Sequence, residues 1–101
     1  MSISTRFFKD GKTRVLTMSY DDGAHFDREV VEILDRYGVR GTFHLNSGNF
    51  DDEGGWNIKS EEVATLYKNH EVSVHTVTHP SPVYCTEVGL RNEIVNDKRR
   101  L

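Results

Sequence analysis

The sequence predicts an α/β fold built on a parallel sheet. Three observations carry this. Arg14-Val15-Leu16-Thr17-Met18, Val39-Arg40-Gly41-Thr42-Phe43-His44-Leu45 and Glu71-Val72-Ser73-Val74 have strand character, with β-branched and apolar residues bounded by turn formers. Apolar residues at helical spacing fill the segments between these runs and follow the last. Strands that alternate with helices in this way imply βαβ units with right-handed crossovers.

The elements follow in order. Thr5-Arg6-Phe7-Phe8 and Thr13 to Met18 flank Lys9-Asp10-Gly11-Lys12, and Asp-Gly between two strand-like runs predicts a β-hairpin. The second of these strands leads into Tyr20-Asp21-Asp22-Gly23, where Gly23 permits a tight turn. Phe26, Val30, Ile33, Leu34 and Tyr37 then recur at the helical period and form one apolar face. Asp27 can cap that helix at its start and Gly38 can end it. The next strand runs from Val39 to Leu45. Asn46 to Asn57 is rich in Gly, Asn and Asp and reads as a loop. Ser60 can cap a second helix, with Glu61 and Glu62 in its first turn and Val63, Leu66 and Tyr67 towards a core. After the third strand, Thr86 can cap a last helix with Leu90 and Ile94 inward, and Gly89 lowers its propensity. Three parallel strands and three helices are few for a closed barrel. The chain is either a small open sheet or part of something larger.

At 101 residues the chain suits one small domain with a modest core. It is 36% hydrophobic and 29% charged, and no stretch approaches the ~20 apolar residues that span a bilayer. No membrane association is expected. Met1 to Arg6 lacks the apolar core of a secretory signal, so a cytoplasmic location is expected. The single cysteine, Cys85, excludes an internal disulfide framework and fits a reducing compartment. A net charge of -3 gives no reason to expect nucleic acid. Lys98-Arg99-Arg100 reads as favourable charge at a helix C-terminus.

Chemistry concentrates in two segments, Ser19-Tyr20-Asp21-Asp22-Gly23 and His75-Thr76-Val77-Thr78-His79-Pro80. Each directly follows a predicted strand. In parallel α/β folds, ligands gather at the carboxyl ends of strands, so topology alone brings the two segments together. Imidazole and carboxylate ligands suit zinc and other first-row metals. Two histidines four residues apart could share a helix face, but here they follow a strand and precede Pro80. Pro80 biases His79 towards an extended backbone. Taken singly, Asp-Asp-Gly is a common solvated turn and His-x-x-x-His a common surface pair; their joint placement at strand ends favours a site.

Ser19-Tyr20-Asp21-Asp22-Gly23 resembles the T-F-D-D-G motif of the polysaccharide deacetylase family, the NodB-homology or carbohydrate esterase family 4 domain. His75-Thr76-Val77-Thr78-His79-Pro80 resembles its H-[ST]-x-x-H-P motif, and Gly38-Val39-Arg40-Gly41-Thr42-Phe43 its second strand with the preceding turn. Order and separation agree with the family over nearly the whole chain. Ser19-Tyr20 in place of Thr-Phe is a mild departure. The resemblance implies a distorted (β/α) barrel about twice this long, of which residues 1–101 are the N-terminal portion, an incomplete barrel preceded by the hairpin. It implies Asp22, His75 and His79 as metal ligands and Asp21 as general base. It implies a divalent transition metal, zinc first, with cobalt, nickel or manganese as alternatives. The expected partner is an acetylated carbohydrate, which would lose N- or O-linked acetyl groups. Nothing after His79 resembles the family's later motifs, which supply an arginine near the base, part of the acetyl pocket and a late histidine acid.

Two further readings stand beside this one. A catalytically incomplete fragment or degenerate homologue would serve as a metal-binding or interaction module, and its exposed sheet edge would favour self-association. A small doubly wound domain binding magnesium and phosphate is weaker, because no phosphate-cradling glycine loop is present. Elsewhere the plainer expectations hold. His44 is either packed in the core or lines the site passively, His25 is an exposed helix-entry residue, and His70 favours a helix C-terminus. Asp51-Asp52-Glu53 is a solvated loop lacking the ligand pattern of a calcium-binding EF-hand. Trp56 either anchors that loop or stacks on a sugar, and Asn46 either faces the site or serves a turn.

Overall fold

A computed structural model describes residues 7–101. Its centre is a three-stranded parallel sheet in the order β1-β2-β3: β1 is Met18–Asp21, β2 Gly41–Leu45 and β3 Glu71–Val74. Helix α1 (Asp27–Arg36) joins β1 to β2. A 3-10 turn, Ser60–Glu62, runs into the short α2 (Val63–Leu66) between β2 and β3. Helix α3 (Glu87–Arg100) follows β3. Met18 to Asp21 pair with Gly41 to His44, and Thr42 to Leu45 pair with Glu71 to Val74. This is the alternating parallel α/β fold that the sequence predicts.

Strand alternation gives the sheet two unlike faces. Tyr20, Phe43 and Val72 share one row, with Leu45 beside Val74 further along. Phe43 and Leu45 are wholly buried on this face, together with Val31 and Leu34 of α1, Ile58 and Tyr67. The Phe43 ring stacks on Tyr20 at 5.2 Å and meets Tyr67 at 4.8 Å. Each fully buried Phe or Leu contributes about 1.5–3 kcal/mol, so this cluster is the main source of stability. Both crossover helices pack on this one face. The opposite face carries Ser19, Asp21, Thr42, His44, Glu71 and Ser73, and Thr42 Oγ1 donates to Glu71 Oε2 across it at 2.9 Å.

Several expectations are corrected here. The Asp10-Gly11 turn forms, with both residues at positive φ and the Phe8 N–H donating to Lys12 O at 2.7 Å. The hairpin ladder does not: Phe7, Phe8 and Arg14 to Thr17 are not in a strand, and β1 begins only at Met18. Val15 and Leu16 lie exposed without a partner strand among the described residues, so their strand character finds no ladder. Thr5 and Arg6, the start of the expected hairpin, lie outside the described residues. On α1, Leu34 and Val30 pack inward as expected, but Phe26, Ile33 and Tyr37 are exposed. The inward stripe is Asp27-Val31-Leu34, because Asp27 turns into the core and accepts a 2.6 Å hydrogen bond from the Tyr67 hydroxyl. Asp27 therefore ties α1 to the segment after α2 instead of capping its own helix.

Gly38 ends α1 as expected. Its φ is +65°, its N–H donates to Asp35 O, and the Val39 N–H donates to Leu34 O, the pair of bonds of a Schellman motif. Ser60 is no cap: its N–H and its hydroxyl both donate to Asp51. His70 does not serve a helix terminus either. Its buried ring accepts from the Gly41 N–H through Nδ1 and reaches Asp35 Oδ1 through Nε2 at 2.8 Å, joining the start of β2 to α1. Thr86 caps α3 as expected, its hydroxyl accepting from the Gly89 N–H at 3.0 Å. Leu90 is half-buried, Ile94 is exposed, and the one buried residue of α3 is Asp97. No helix among the described residues is long and apolar enough to cross a membrane.

Two predictions follow from this packing. Burial raises the Asp27 carboxyl above its ordinary range, and the Tyr67 hydroxyl partly offsets that. The folded state thus holds the Asp27 proton more tightly than the unfolded chain, so its contribution to stability falls as pH climbs from the ordinary carboxylate value to the raised one. Urea titrations over about pH 4–8 should show this slope in wild type and lose it in Asp27→Asn. Tyr67→Phe should cost about 1–3 kcal/mol and carry the slope to higher pH; an unchanged wild-type profile in both variants would contradict the assignment. The second concerns Gly48, in the 3-10 turn Ser47–Asn49 after β2. A Cβ there would lie 2.5 Å from Val77 O, so Gly48→Ala should destabilise by about 1–3 kcal/mol in the same titration.

Candidate metal centre

The site lies where the sheet's hydrogen-bond ladder runs out. Asp22 and His75 are the first residues beyond β1 and β3. The Asp22 N–H still donates to His44 O at 2.9 Å, and the His75 N–H to Leu45 O at 3.1 Å. Parallel pairing in register thus leaves Asp22 and His75 on either side of the end of β2.

Left-handed backbone then redirects both segments. Asp22 has φ +78° and Gly23 φ +66°. Asp tolerates this region because its short side chain bonds locally. Gly23 has no alternative: it is buried, and a Cβ would lie 3.1 Å from Leu45 Cδ2. In the second segment Thr76 has φ +70° and His79 φ +58°. A β-branched residue in this region costs about 1–3 kcal/mol and persists only where its surroundings impose it. Here Asn46, itself wholly buried, donates its side-chain amide to both His75 O and Thr76 O. The Thr76 hydroxyl in turn accepts from the His79 N–H at 3.1 Å. The expected extended backbone at His79 is therefore corrected. Pro80 disfavours the right-handed helical region, and His79 turns left-handed to bring its ring back over the strand end.

These turns gather one atom each from Asp22, His75 and His79 within 4.8 Å of one another. Asp22 Oδ1 lies 3.3 Å from His75 Nε2 and 3.6 Å from His79 Nε2. Both distances exceed an ordinary N–H···O hydrogen bond. Ligand atoms about 2.1 Å from a tetrahedral metal lie about 3.4 Å apart, so the spacing suits a shared ion. The donor set, two imidazole nitrogens and one carboxylate oxygen, is that of zinc and its first-row neighbours. His75 is half-buried, whereas Asp22 and His79 are open to solvent, which leaves room for a small ligand.

Asp21 stands one residue before the cluster, exposed, in register with His44 on the polar face. His44 lies outside the three-residue group. Its Nε2 is 2.9 Å from Ser19 Oγ and its ring centre 6.1 Å from that of His75, as a passive lining residue would sit. His25 is not simply exposed: it packs on Phe26 and Trp56, with ring centres 4.0 and 5.2 Å away. Trp56 is half-exposed in that cluster, and its backbone O accepts from the His25 N–H. Asp51 and Asp52 are occupied by the turn. Asp51 accepts from the Ser60 N–H and hydroxyl, Asp52 from the Trp56 and Asn57 N–H groups, and these bonds hold both carboxyls below their ordinary range.

Sequence reasoning missed two acids on α3. Asp97, wholly buried, accepts from the Ser47 and His75 N–H groups, each at 2.8 Å. Glu93 accepts from the Thr78 N–H at 2.8 Å and from its hydroxyl at 3.0 Å. The one available signal was their spacing of four along a helix whose apolar face is poorly defined.

The chain matches the sequence profile described as polysaccharide deacetylase over residues 8–101. No curated protein sequence matches it. Its fold is similar to that of the Bc1960 peptidoglycan N-acetylglucosamine deacetylase, solved in complex with 4-naphthalen-1-yl-N-oxidanyl-benzamide. The TM-score is 0.65 at 23% identity, over 84% of this chain and 38% of that one. It is also similar to a family 4 carbohydrate esterase from Bacillus anthracis, with TM-score 0.68 and 15% identity over 83% of this chain and 39% of the other. The chain thus spans well under half the length of these structures. The resemblance read from Ser19 to Gly23 and from His75 to Pro80 is borne out by a match that takes in both motifs: the chain belongs to the polysaccharide deacetylase family.

Proposed function

We propose that this chain carries the metal-binding part of a hydrolase that removes N- or O-linked acetyl groups from a carbohydrate. The observation that supports the reading most directly is the Asp22-His75-His79 cluster, with Asp21 adjacent, inside the family match. Asp22 Oδ1, His75 Nε2 and His79 Nε2 would hold a divalent transition metal, zinc first, with cobalt, nickel or manganese as alternatives. When bound, such an ion activates water and polarises the acyl carbonyl. Asp21, beside the ligands and not among them, takes the proton from the attacking water. Water adds to the acyl carbon, the bond to the sugar nitrogen or oxygen breaks as that atom takes up the proton passed on from Asp21, and acetate and a free amine or hydroxyl result.

The sheet supports an arc of a distorted (β/α) barrel. Its strands follow one another in sequence order, and α1 and α2 pack on the same face. A doubly wound sheet reverses its strand order and places helices on both faces. A second reading, a metal-binding or interaction module without turnover, draws support from the open sheet. Among the described residues the outer edges of β1 and β3 have no partner strand, and such edges can pair with another copy.

Metal content after mild dialysis tests the site. Wild type should retain near-stoichiometric metal, and Asp22→Ala and His75→Ala should lose it; retention in either variant would overturn the ligand assignment. One structural neighbour is a peptidoglycan N-acetylglucosamine deacetylase, so N-acetylglucosamine oligomers are the first substrate to assay. Asp21→Asn should keep the metal and lower the rate of acetate release by about 10²–10⁴-fold. Metal without acetate release in wild type would favour the second reading.

A further inference from the structure

The loop from His75 to His79 carries two of the three candidate ligands, and α3 holds it by the backbone. Asp97 Oδ1 accepts from the Ser47 N–H, which follows β2, and Asp97 Oδ2 from the His75 N–H, which follows β3. One turn earlier on the same helix, Glu93 accepts from the N–H and the hydroxyl of Thr78, the residue before His79. Burying an acid is costly unless its oxygens are fully hydrogen-bonded, and Asp97 is wholly buried with both oxygens engaged. Neither acid is among the three clustered ligand residues.

We infer that Glu93 and Asp97 are positioning residues for the candidate metal centre, fixing the backbone of the histidine loop so that His75 and His79 converge on Asp22. The inference rests on the metal-site reading above. Its physical basis is that Thr76 and His79 sit in a sparsely populated backbone region. A loop free to leave that region holds the converged geometry for only part of the time, and apparent metal affinity falls by that fraction.

The two acids make different demands. Asp97 faces two backbone N–H groups, both obligate donors, so only two acceptor oxygens satisfy it. Asp97→Asn would point an amide donor at one of them. Glu93 faces one N–H and one hydroxyl, and a hydroxyl can accept as well as donate. Glu93→Gln can therefore accept from the Thr78 N–H through its carbonyl and donate to the hydroxyl through its amide, which Glu93→Ala cannot do.

The test is zinc affinity, read by competition with a chromophoric chelator, on wild type, Asp97→Asn, Glu93→Ala and Glu93→Gln. Amide hydrogen exchange at Ser47 and Thr78 and a thermal melt accompany each protein. Asp97→Asn and Glu93→Ala should bind zinc about 10–100-fold more weakly. Glu93→Gln should bind close to wild type. The Ser47 amide should exchange faster only in Asp97→Asn, and the Thr78 amide faster only in Glu93→Ala. Wild-type affinity in a folded Glu93→Ala, or affinity in Glu93→Gln as poor as in Glu93→Ala, overturns the inference. If Asp97→Asn does not fold, the two variants at Glu93 decide. A wild type that binds no zinc overturns the metal-site reading and this role with it; slow exchange at Ser47 and Thr78 would then identify the two acids as purely structural.

Discussion

Three parallel strands stop almost level with one another, and the ladder between them extends one bond further on each side. Asp22 N–H reaches His44 O, and His75 N–H reaches Leu45 O. Everything about the candidate site depends on that shared end. A slip of one residue would turn alternate side chains to the opposite face. Phe43 would then leave the core and His44 would enter it. The apolar row of Tyr20, Phe43 and Val72 therefore fixes the register, and the register fixes where Asp22 and His75 emerge.

Beyond the ladder, the chain spends stability to aim its candidate ligands. Four positions in the two site segments, Asp22, Gly23, Thr76 and His79, have positive φ. Local chemistry accounts for part of this: Asp and Gly accept the conformation at modest cost. Thr76 does not, and its conformation is held from outside by Asn46 and from within by its own hydroxyl bond to the His79 N–H. The cost is carried by the packed face beneath, where Phe43, Leu45 and Ile58 are wholly buried.

What the sequence disclosed was local. The second and third strands, the stop at Gly38 and the Thr86 cap each rest on residues a few positions apart, and each appears in the structure. So does the gathering of Asp22, His75 and His79, because parallel strands deliver their ends to one place. What escaped was set by distant partners. The rotation of α1 follows from Asp27 meeting Tyr67, 40 residues away. The role of Asp97 follows from Ser47, 50 residues away, and Ser60 serves Asp51 instead of its own helix. The strand character of Val15 and Leu16 was legible, but a strand needs a partner as well as a propensity. The backbone of His79 was misjudged because Pro80 narrows the choices of the preceding residue without selecting among those that remain.

The long reach of Asp97 also sets an order of assembly. Ser47 and His75 lie 50 and 22 residues before the carboxyl that joins them. A ribosome delivers the chain from its N-terminus, so the sheet and both histidines emerge before their clamp exists. During that interval the loop of His75 to His79 is held by Asn46, by the Leu45 and Gly48 backbone and by its own Thr76 hydroxyl, without the two acids of α3. The Ser47 and His75 N–H groups meet their shared carboxylate only when α3 docks. The loop is thus held from its C-terminal side, by a helix that is made after every residue it fixes.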